Sequence, residues 1–360
     1  MRILSLSWEF PPFITGGLGM AVYGMVRSLL KKGVAVDLVL PAKGKYFFSL
    51  RHPEDVDNLP RVVSQIGGEK ATPHSMKELK DIIGSPLSVY QTTIGMRGFG
   101  GAVEDLGSSE EFGKILDTLN DEYYLFRQVL DYTGMTVDIG KEIGCDIIHA
   151  HDWLTFPAGI LLKTILHKPL VVHVHATEFD RAGGAGDGRI HNIEYTGMKC
   201  ADKVIAVSEF TANLIMEKYH IEKEKISVVH NAYVMKDCPV NHRRIFDEPT
   251  ILFMGRITLQ KGPDYFIEVA RRVLEKNKNA RFIMAGSGDM ERQVLHRAAA
   301  MGLGTRFLSA GFFDRGGGGE VLATAGVLLV SLGYAPFCIA PPEVVRRGAV
   351  GKVLERSGVC

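Results

Sequence analysis

The chain has 360 residues, 46% of them hydrophobic, and sets 42 Lys plus Arg against 41 Asp plus Glu for a net charge of +1. That length suits two domains and that hydrophobic content fills sizeable cores, while the even charge balance argues against nucleic acid or an acidic membrane surface as an obligatory partner. No apolar run reaches the roughly 18 residues that span a bilayer, and the N-terminus enters a strand without a secretory pattern, so a cytoplasmic protein with no integral membrane segment is expected. The cysteines Cys145, Cys200, Cys238, Cys338 and Cys360 are scattered and form no Cys-x-x-Cys pair. Reduced thiols are expected, not a disulfide framework or a zinc site.

Strand and helix patterns alternate from the start. Arg2 to Ser7 reads as a strand, Met20 to Lys32 as a helix capped by Gly33, and Val34 to Leu40 as a second strand. This βαβ opening predicts a parallel, doubly wound sheet. Between strand and helix runs Glu9-Phe10-Pro11-Pro12-Phe13-Ile14-Thr15-Gly16-Gly17-Leu18-Gly19, which is either a glycine loop approaching a phosphate or a tight connection. Residues 42–105 are irregular and are expected to hold an extra β-hairpin or loop insertion. Glu110 to Gly144 reads as one or two long helices with Tyr123, Tyr124, Phe126 and Val129 facing the core.

The apolar run Asp146-Ile147-Ile148 leads into His149-Ala150-His151-Asp152-Trp153 at a strand's carboxyl end, the edge where ligands sit in open α/β sheets. His151 can be structural, hydrogen-bond a sugar hydroxyl, polarise a reacting group or ligate a metal. His149 and His151 share one strand face, but no third ligand is indicated, so no metal site is expected. Leu170 to His175 is a further strand, and the Gly-rich Ala182 to Gly188 after it is a candidate cleft gate. Ile190 to Ala201 reads as a helix, Lys203 to Val207 as a strand, Ser208 as the N-cap of a helix from Glu209 to Tyr219, and Ile226 to Asn231 as the last strand of this half.

Residues 236–248 are polar and read as a linker between an N-terminal domain, 1–235, and a C-terminal domain, 249–360. Alternation restarts with the strand Thr250-Ile251-Leu252-Phe253, the basic loop Met254 to Gly262, and a helix opening at Pro263. Arg256 and Lys261 beside a helix N-terminus either form a diphosphate site or are two solvated cations. A strand from Ala280 to Ala285, a helix from Asp289 to Met301, a strand from Arg306 to Ser309, a short helix from Glu320 to Ala325, and strands at Val327 to Val330 and Gly351 to Leu354 build a second doubly wound sheet.

With these segments in order, the chain resembles the retaining GT-B glycosyltransferases near the glycogen and starch synthases and glycosyltransferase family 4. The carrying residues are Glu9-Phe10-Pro11-Pro12 with Gly16-Gly17-Leu18-Gly19, His149-Ala150-His151-Asp152-Trp153, Val207-Ser208, His230-Asn231-Ala232, Gly255-Arg256 with Gln260-Lys261-Gly262, Ala285-Gly286-Ser287-Gly288, and Pro336-Phe337 through Glu343. The resemblance implies two Rossmann-like α/β domains facing a cleft. It also implies transfer of a hexose from a nucleotide-diphospho-sugar, with retention, to a glycan or small-molecule acceptor. Arg256 and Lys261 match the pair on the donor diphosphate, and Glu343 matches the Glu on the ribose hydroxyls. His151 matches the active-site His near the sugar's 6-hydroxyl, and Asn231 an active-site Asn. Gly16 and Gly17 match the loop reaching toward the phosphates, and Phe337-Cys338-Ile339 the loop whose backbone approaches the sugar. No metal or other cofactor is implied, since the two cations offset the diphosphate charge.

Three departures stand out. Ala335 occupies the place of the family's first Glu, Cys338 stands where a Gly usually follows Pro-Phe, and Thr15 replaces the Lys that the synthases carry before Gly-Gly. The chain stops at Cys360, and the second domain is read as truncated. A catalytically impaired relic that binds nucleotide or glycan without turnover is therefore the alternative to an active hexosyltransferase. The Gly-Arg…Gln-Lys-Gly spacing argues against a third candidate, a nucleotide-sugar epimerase.

Overall fold

The computed structural model describes residues 1–11, 17–41, 46–57, 124–231, 246–311, 326–330 and 350–353. The chain divides into two compact units, Met1–Thr177 with Asp187–His230, and Glu178–Gly186 with Asn231–Cys360.

The first unit runs β1 (Arg2–Leu6), α1 (Gly17–Lys31), β2 (Ala35–Leu40), β3 (Tyr46–Leu50), α2 (Tyr124–Ile143), β4 (Ile147–His151), α3 (Phe156–Leu166), β5 (Leu170–Val174), then α5 (Gly188–Cys200), β6 (Lys203–Ala206), α6 (Glu209–Tyr219) and β7 (Ile226–Val228). The short helix α4 (Glu178–Ala182) between β5 and α5 groups with the second unit. The sheet order is β3-β2-β1-β4-β5-β6-β7. All pairs are parallel except β2 with β3, which form an antiparallel hairpin; most of residues 42–105, where an extra hairpin or loop insertion was expected, lies outside the described residues. The apolar strands are covered on both faces, as parallel sheets require; Leu4, Leu6, Val36, Leu38 and Ile148 are fully buried.

Asp37 puts a charge inside this core. Asp37 is buried in β2 and is held by the Arg2 and Arg51 guanidiniums and by the Ser49 hydroxyl, which donates at 2.8 Å. Both cations are part exposed and stay hydrated while neutralising it, which is how a buried carboxylate is tolerated.

Sequence periodicity misses α3. Phe156 to Leu162 are all buried, so the helix has no polar face to reveal its period. It wedges between α2 and α5 because two glycines leave room. A Cβ on Gly140 would lie 2.3 Å from Leu162 Cδ2, and one on Gly197 2.2 Å from Phe156 Cδ2. Two expectations are corrected. Tyr124 was placed facing the core but is 75% exposed at the first turn of α2. The strand expected to reach Asn231 ends at Val228. Within the expected linker, the Phe246 ring lies 4.1 Å under the Arg281 guanidinium, which pairs with Glu248 at 2.9 Å. Ser208 caps α6 as expected, accepting from Thr211 N at 3.1 Å. The expected segments at Glu110–Tyr123 and Glu320–Ala325 lie outside the described residues.

The second unit carries β8 (Thr250–Met254), a 3-10 turn at Leu259–Lys261, α7 (Pro263–Lys276), β9 (Arg281–Ala285), α8 (Glu291–Ala300), β10 (Phe307–Gly311), β11 (Val327–Val330) and β12 (Val350–Val353). Its order is β10-β9-β8-β11-β12, all parallel. Phe266 on α7 anchors the core against Phe253, Phe282 and Phe307, with ring centroids 5.4, 5.7 and 5.8 Å away. The opposite side of α7 holds Glu268 between Arg271 and Arg272, three and four residues on, the spacing at which helical side chains meet.

Candidate active site

In doubly wound sheets a ligand crevice opens at the carboxyl ends of the strands where the strand order reverses. In the first unit the reversal lies between β1 and β4, and in the second between β8 and β11. Among the described residues, Asp152 to Thr155 leaves β4 and Gly255 to Gly262 leaves β8, and both stretches were singled out by sequence. The topology places them there independently of any motif.

The loop after β8 is rigidly built. Gly255 has φ 150° and Gly286, after β9, has φ 139°. Gly255 N donates to Ala285 O at 3.0 Å, Ile257 N to Ser287 O at 2.9 Å, and Met290 N to Ile257 O at 3.1 Å. The two loops touch so closely that a Cβ on Gly286 would lie 1.9 Å from Gly255 O and one on Gly288 2.3 Å from Ile257 O. Gly-Ser-Gly after β9 is therefore a packing requirement of the basic loop. Ile257 and Gln260 point inward and are buried, which turns Arg256 outward. Arg256 is exposed and no carboxylate pairs with it among the described residues. The Lys261 stem runs back past Gly255, its Cγ 4.0 Å from where a Gly255 Cβ would stand, so both cations belong to the β8 carboxyl edge. Gly262 at φ 61° then starts α7 with Pro263 in its first turn. The acid of that turn, Asp264, is neutralised by Arg297 at 2.7 Å.

In the first unit, Gly17 is the exposed first residue of α1, whose first turn carries no acid. Gly19 closes the loop from behind; a Cβ there would lie 3.2 Å from Glu9 Cβ. The β4–α3 turn is fixed by Asp152, which sits at φ 59°. Its Oδ1 accepts from His175 N at 2.7 Å and Ala176 N at 3.4 Å, tying the ends of β4 and β5 together. Thr155 Oγ1 donates to His151 O at 2.9 Å. His151 is fully buried, and its Nδ1 shares a 3.0 Å hydrogen bond with His175 Nε2. Here the structure corrects the sequence reading, which indicated no third histidine: β5 brings His173 and His175 beside His149 and His151. The signal was the second His-x-His, twenty-four residues after the first, whose alignment with it only strand register could establish.

Asn231 is described and half-buried, three residues beyond β7, next to His230, whose Nδ1 lies 3.1 Å from Val207 O. Gly16, Ala335, Phe337, Cys338, Ile339 and Glu343 lie outside the described residues.

Burial holds the four imidazoles neutral. His149 is pushed down from 6.5 to about 4 by burial, and His175 to about 3 by burial and then by the neighbouring His149. His151 and His173 are lowered by burial first and by the neighbouring imidazoles second. The folded pKa values lie below the unfolded ones, so the unfolded chain takes up protons first as the pH falls. The stabilisation is complete above pH 6.5 and is lost progressively as the pH drops toward 4. For His149 alone the loss near pH 5 is about 2 kcal/mol. Urea unfolding of chelator-treated protein near pH 5 and near pH 7.5 checks this; equal midpoints would contradict it.

Two doubly wound sheets in one chain, one of them carrying a basic loop at its reversal, are the architecture of the GT-B glycosyltransferases. Residues 2–226 match the starch synthase catalytic domain family and residues 240–350 the glycosyl transferases group 1 family. The chain belongs to the starch synthase catalytic domain family and is a glycosyltransferase of the glycogen and starch synthase kind. It is 27% identical to an uncharacterized glycosyltransferase of Methanocaldococcus jannaschii over 97% of this chain and 79% of that one. It is 25% identical to the glycogen synthase of Mycobacterium tuberculosis over 97% of this chain and 76% of that one. The fold is also that of the catalytic domain of starch synthase IV from Arabidopsis thaliana, with TM-score 0.65 at 13% identity over 99% of this chain and 83% of that one. Among the described residues no helix is long and apolar enough to cross a membrane.

Proposed function

We propose that the protein is a cytoplasmic, retaining hexosyltransferase that moves a hexose, glucose in the first instance, from a nucleotide-diphospho-sugar to a glucan or other glycan acceptor. The observation that carries this reading is the rigid loop after β8, which presents exposed Arg256 and part-buried Lys261 at the strand-order reversal of the second unit. The Arabidopsis starch synthase IV structure contains ADP and acarbose, which supports a nucleoside diphosphate as the ligand class.

On this reading Arg256 and Lys261 bind the donor diphosphate and offset the negative charge that grows on it as the bond to the sugar breaks. These fixed cations do the electrostatic work a metal does in other transferases, so the transfer step is assigned no metal cofactor. Glu343 is assigned to the ribose hydroxyls, Gly16 and Gly17 to the phosphates, and the backbone of Phe337-Cys338-Ile339 to the sugar. His151 is assigned to the sugar's 6-hydroxyl and Asn231 to the active site beside it. Calorimetric titration with UDP, ADP and GDP and their glucose and mannose forms tests the reading. Binding of one nucleotide supports it and names the base; a cooperatively melting chain that binds none of them would sink it.

Ala335 marks the place of a carboxylate against the transferred sugar, and alanine cannot accept a hydrogen bond there. Ala335→Glu is expected to raise turnover about tenfold or more, the worth of one charge-assisted hydrogen bond of about 1.5–3 kcal/mol. The check is kcat with the preferred donor, and an unchanged kcat would remove that role from the position.

A further inference from the structure

His151 ends β4, and His175 lies one residue past the end of β5. In the parallel β4–β5 register His151 stands opposite His173, and residues two apart share a strand face. His175 therefore comes to the same side of the sheet as His151, and His151 Nδ1 lies 3.0 Å from His175 Nε2. That bond takes one ring nitrogen of His151 and leaves Nε2 as the one that can meet a ligand.

Two further contacts hold His175 in place. Its backbone N–H donates at 2.7 Å to Oδ1 of Asp152, the residue after His151. Its ring stacks on buried His173, with centroids 4.2 Å apart and planes 16° from parallel. A ring stacked on a packed neighbour cannot swing aside freely, so the orientation of His175 is passed on to His151.

Burial keeps both rings neutral. Each then carries one proton, and one of the two rings donates to the other. His151 Nε2 and His175 Nδ1 are buried and have no hydrogen-bond partner among the described residues. Donation by His151 would leave an N–H at His175 Nδ1, inside the protein and without an acceptor. Donation by His175 leaves only an unpaired acceptor there and puts the His151 proton on Nε2. An orphaned buried N–H is the rarer and costlier defect. The second arrangement is therefore favoured once a hydroxyl oxygen meets His151 Nε2.

We propose that His175 is a positioning residue for the transfer reaction. Through its Nε2–H it fixes the His151 ring and keeps the His151 proton on Nε2, from which His151 donates to the 6-hydroxyl oxygen of the transferred hexose. The proposal rests on the assignment of His151 to that hydroxyl and adds to it which nitrogen carries the proton. The bond made by one nitrogen of an imidazole decides the form of the other. A donor of fixed direction at the 6-hydroxyl holds the sugar in one orientation while its anomeric bond breaks. A sugar without that hydroxyl gains nothing from the pair.

Two measurements on the full chain test this. The first reads the resting protein, by two-bond ¹H–¹⁵N correlation of ¹⁵N-histidine-labelled chain at neutral pH. The signals are assigned from those lost in His151→Phe and His175→Phe. The expected result is a proton on Nε2 of both rings; a proton on Nδ1 of His151 would overturn the proposal. The second compares turnover of the preferred nucleotide-diphospho-glucose with turnover of its 6-deoxyglucose form. His175→Phe keeps a ring against His173 and the backbone bond to Asp152 but removes the Nε2–H. It is expected to lower kcat on the glucose donor about tenfold or more, with KM changed less. On the 6-deoxy donor it is expected to match wild type within about twofold, because the interaction it serves is absent there. His175→Gln, whose amide can donate from a similar place, is expected to recover much of the loss. An equal loss on both donors would mean that His175 serves only the structure of the turn and would overturn the proposal, as would an unchanged kcat. If His175→Phe does not fold, His175→Ala takes its place in the same comparison. Wild-type protein with these tautomers that transfers no hexose from any of the nucleotide sugars titrated above would sink the hexosyltransferase reading and the role drawn from it, leaving the His151–His175 pairing in place.

Discussion

Lys261→Ala is expected to raise the Kd for the preferred nucleoside diphosphate about 10- to 100-fold, the loss of one charge-assisted contact of about 1.5–3 kcal/mol. Lys261 ends a 3-10 turn whose shape is set by backbone bonds, Lys261 N to Thr258 O and Gly262 N to Leu259 O, both 3.0 Å. Truncating its side chain leaves those bonds and the αL start of α7 intact. A cooperative melt within a few degrees of wild type is therefore expected beside the weakened binding, as local surface changes of this kind give. Arg256→Ala has the same sign, because Arg256 is exposed and supports no ion pair among the described residues. Calorimetry at two salt concentrations separates the outcomes. A lost cation flattens the salt dependence, whereas unchanged affinity in both variants would remove the diphosphate from this loop.

Gly286→Ala is expected to destabilise the second unit by about 3 kcal/mol or more, summing positive-φ strain and overpacking. The added methyl would stand 1.9 Å from Gly255 O, a backbone atom held by its own sheet neighbours, so neither side can yield cheaply. The same residue's N–H donates to Gly311 O at 2.8 Å, which couples the clash to β10. Gly326→Ala is the control in the same sheet: its methyl would meet Thr250 O at 3.6 Å, an ordinary contact. Urea unfolding that found Gly286→Ala as mild as Gly326→Ala would mean that the loops after β8 and β9 are not in contact as described. Because Arg256 sits on the strained loop, Gly286→Ala should also weaken nucleotide binding at temperatures where the unit is still folded.

The alternating apolar runs and turn residues were enough to lay out β1, β2, β4 to β6 and β8 to β11, since each buried strand is a short hydrophobic run bounded by a loop residue. They also placed the basic loop and the His-Asp-Trp turn at carboxyl ends of strands. The chain's membership of a GT-B family was legible because seven short motifs occur in the family's order. Helix α3 was not legible, because a helix buried all round has no periodicity, and its room comes from Gly140 and Gly197 on two other helices. Tyr124 was misread because a face assigned from local spacing says nothing of whether another element covers it. Gly286 and Gly288 were legible only as part of a family motif; their contacts show them to be the socket for the loop before α7. The histidine cluster shows the same limit. Local order determined His149 and His151 on one strand face, but only the pairing of β4 with β5 brought His173 and His175 beside them. Spacing along a chain fixes which residues share an element, whereas register across a sheet, set by burial of both faces at once, decides which side chains meet.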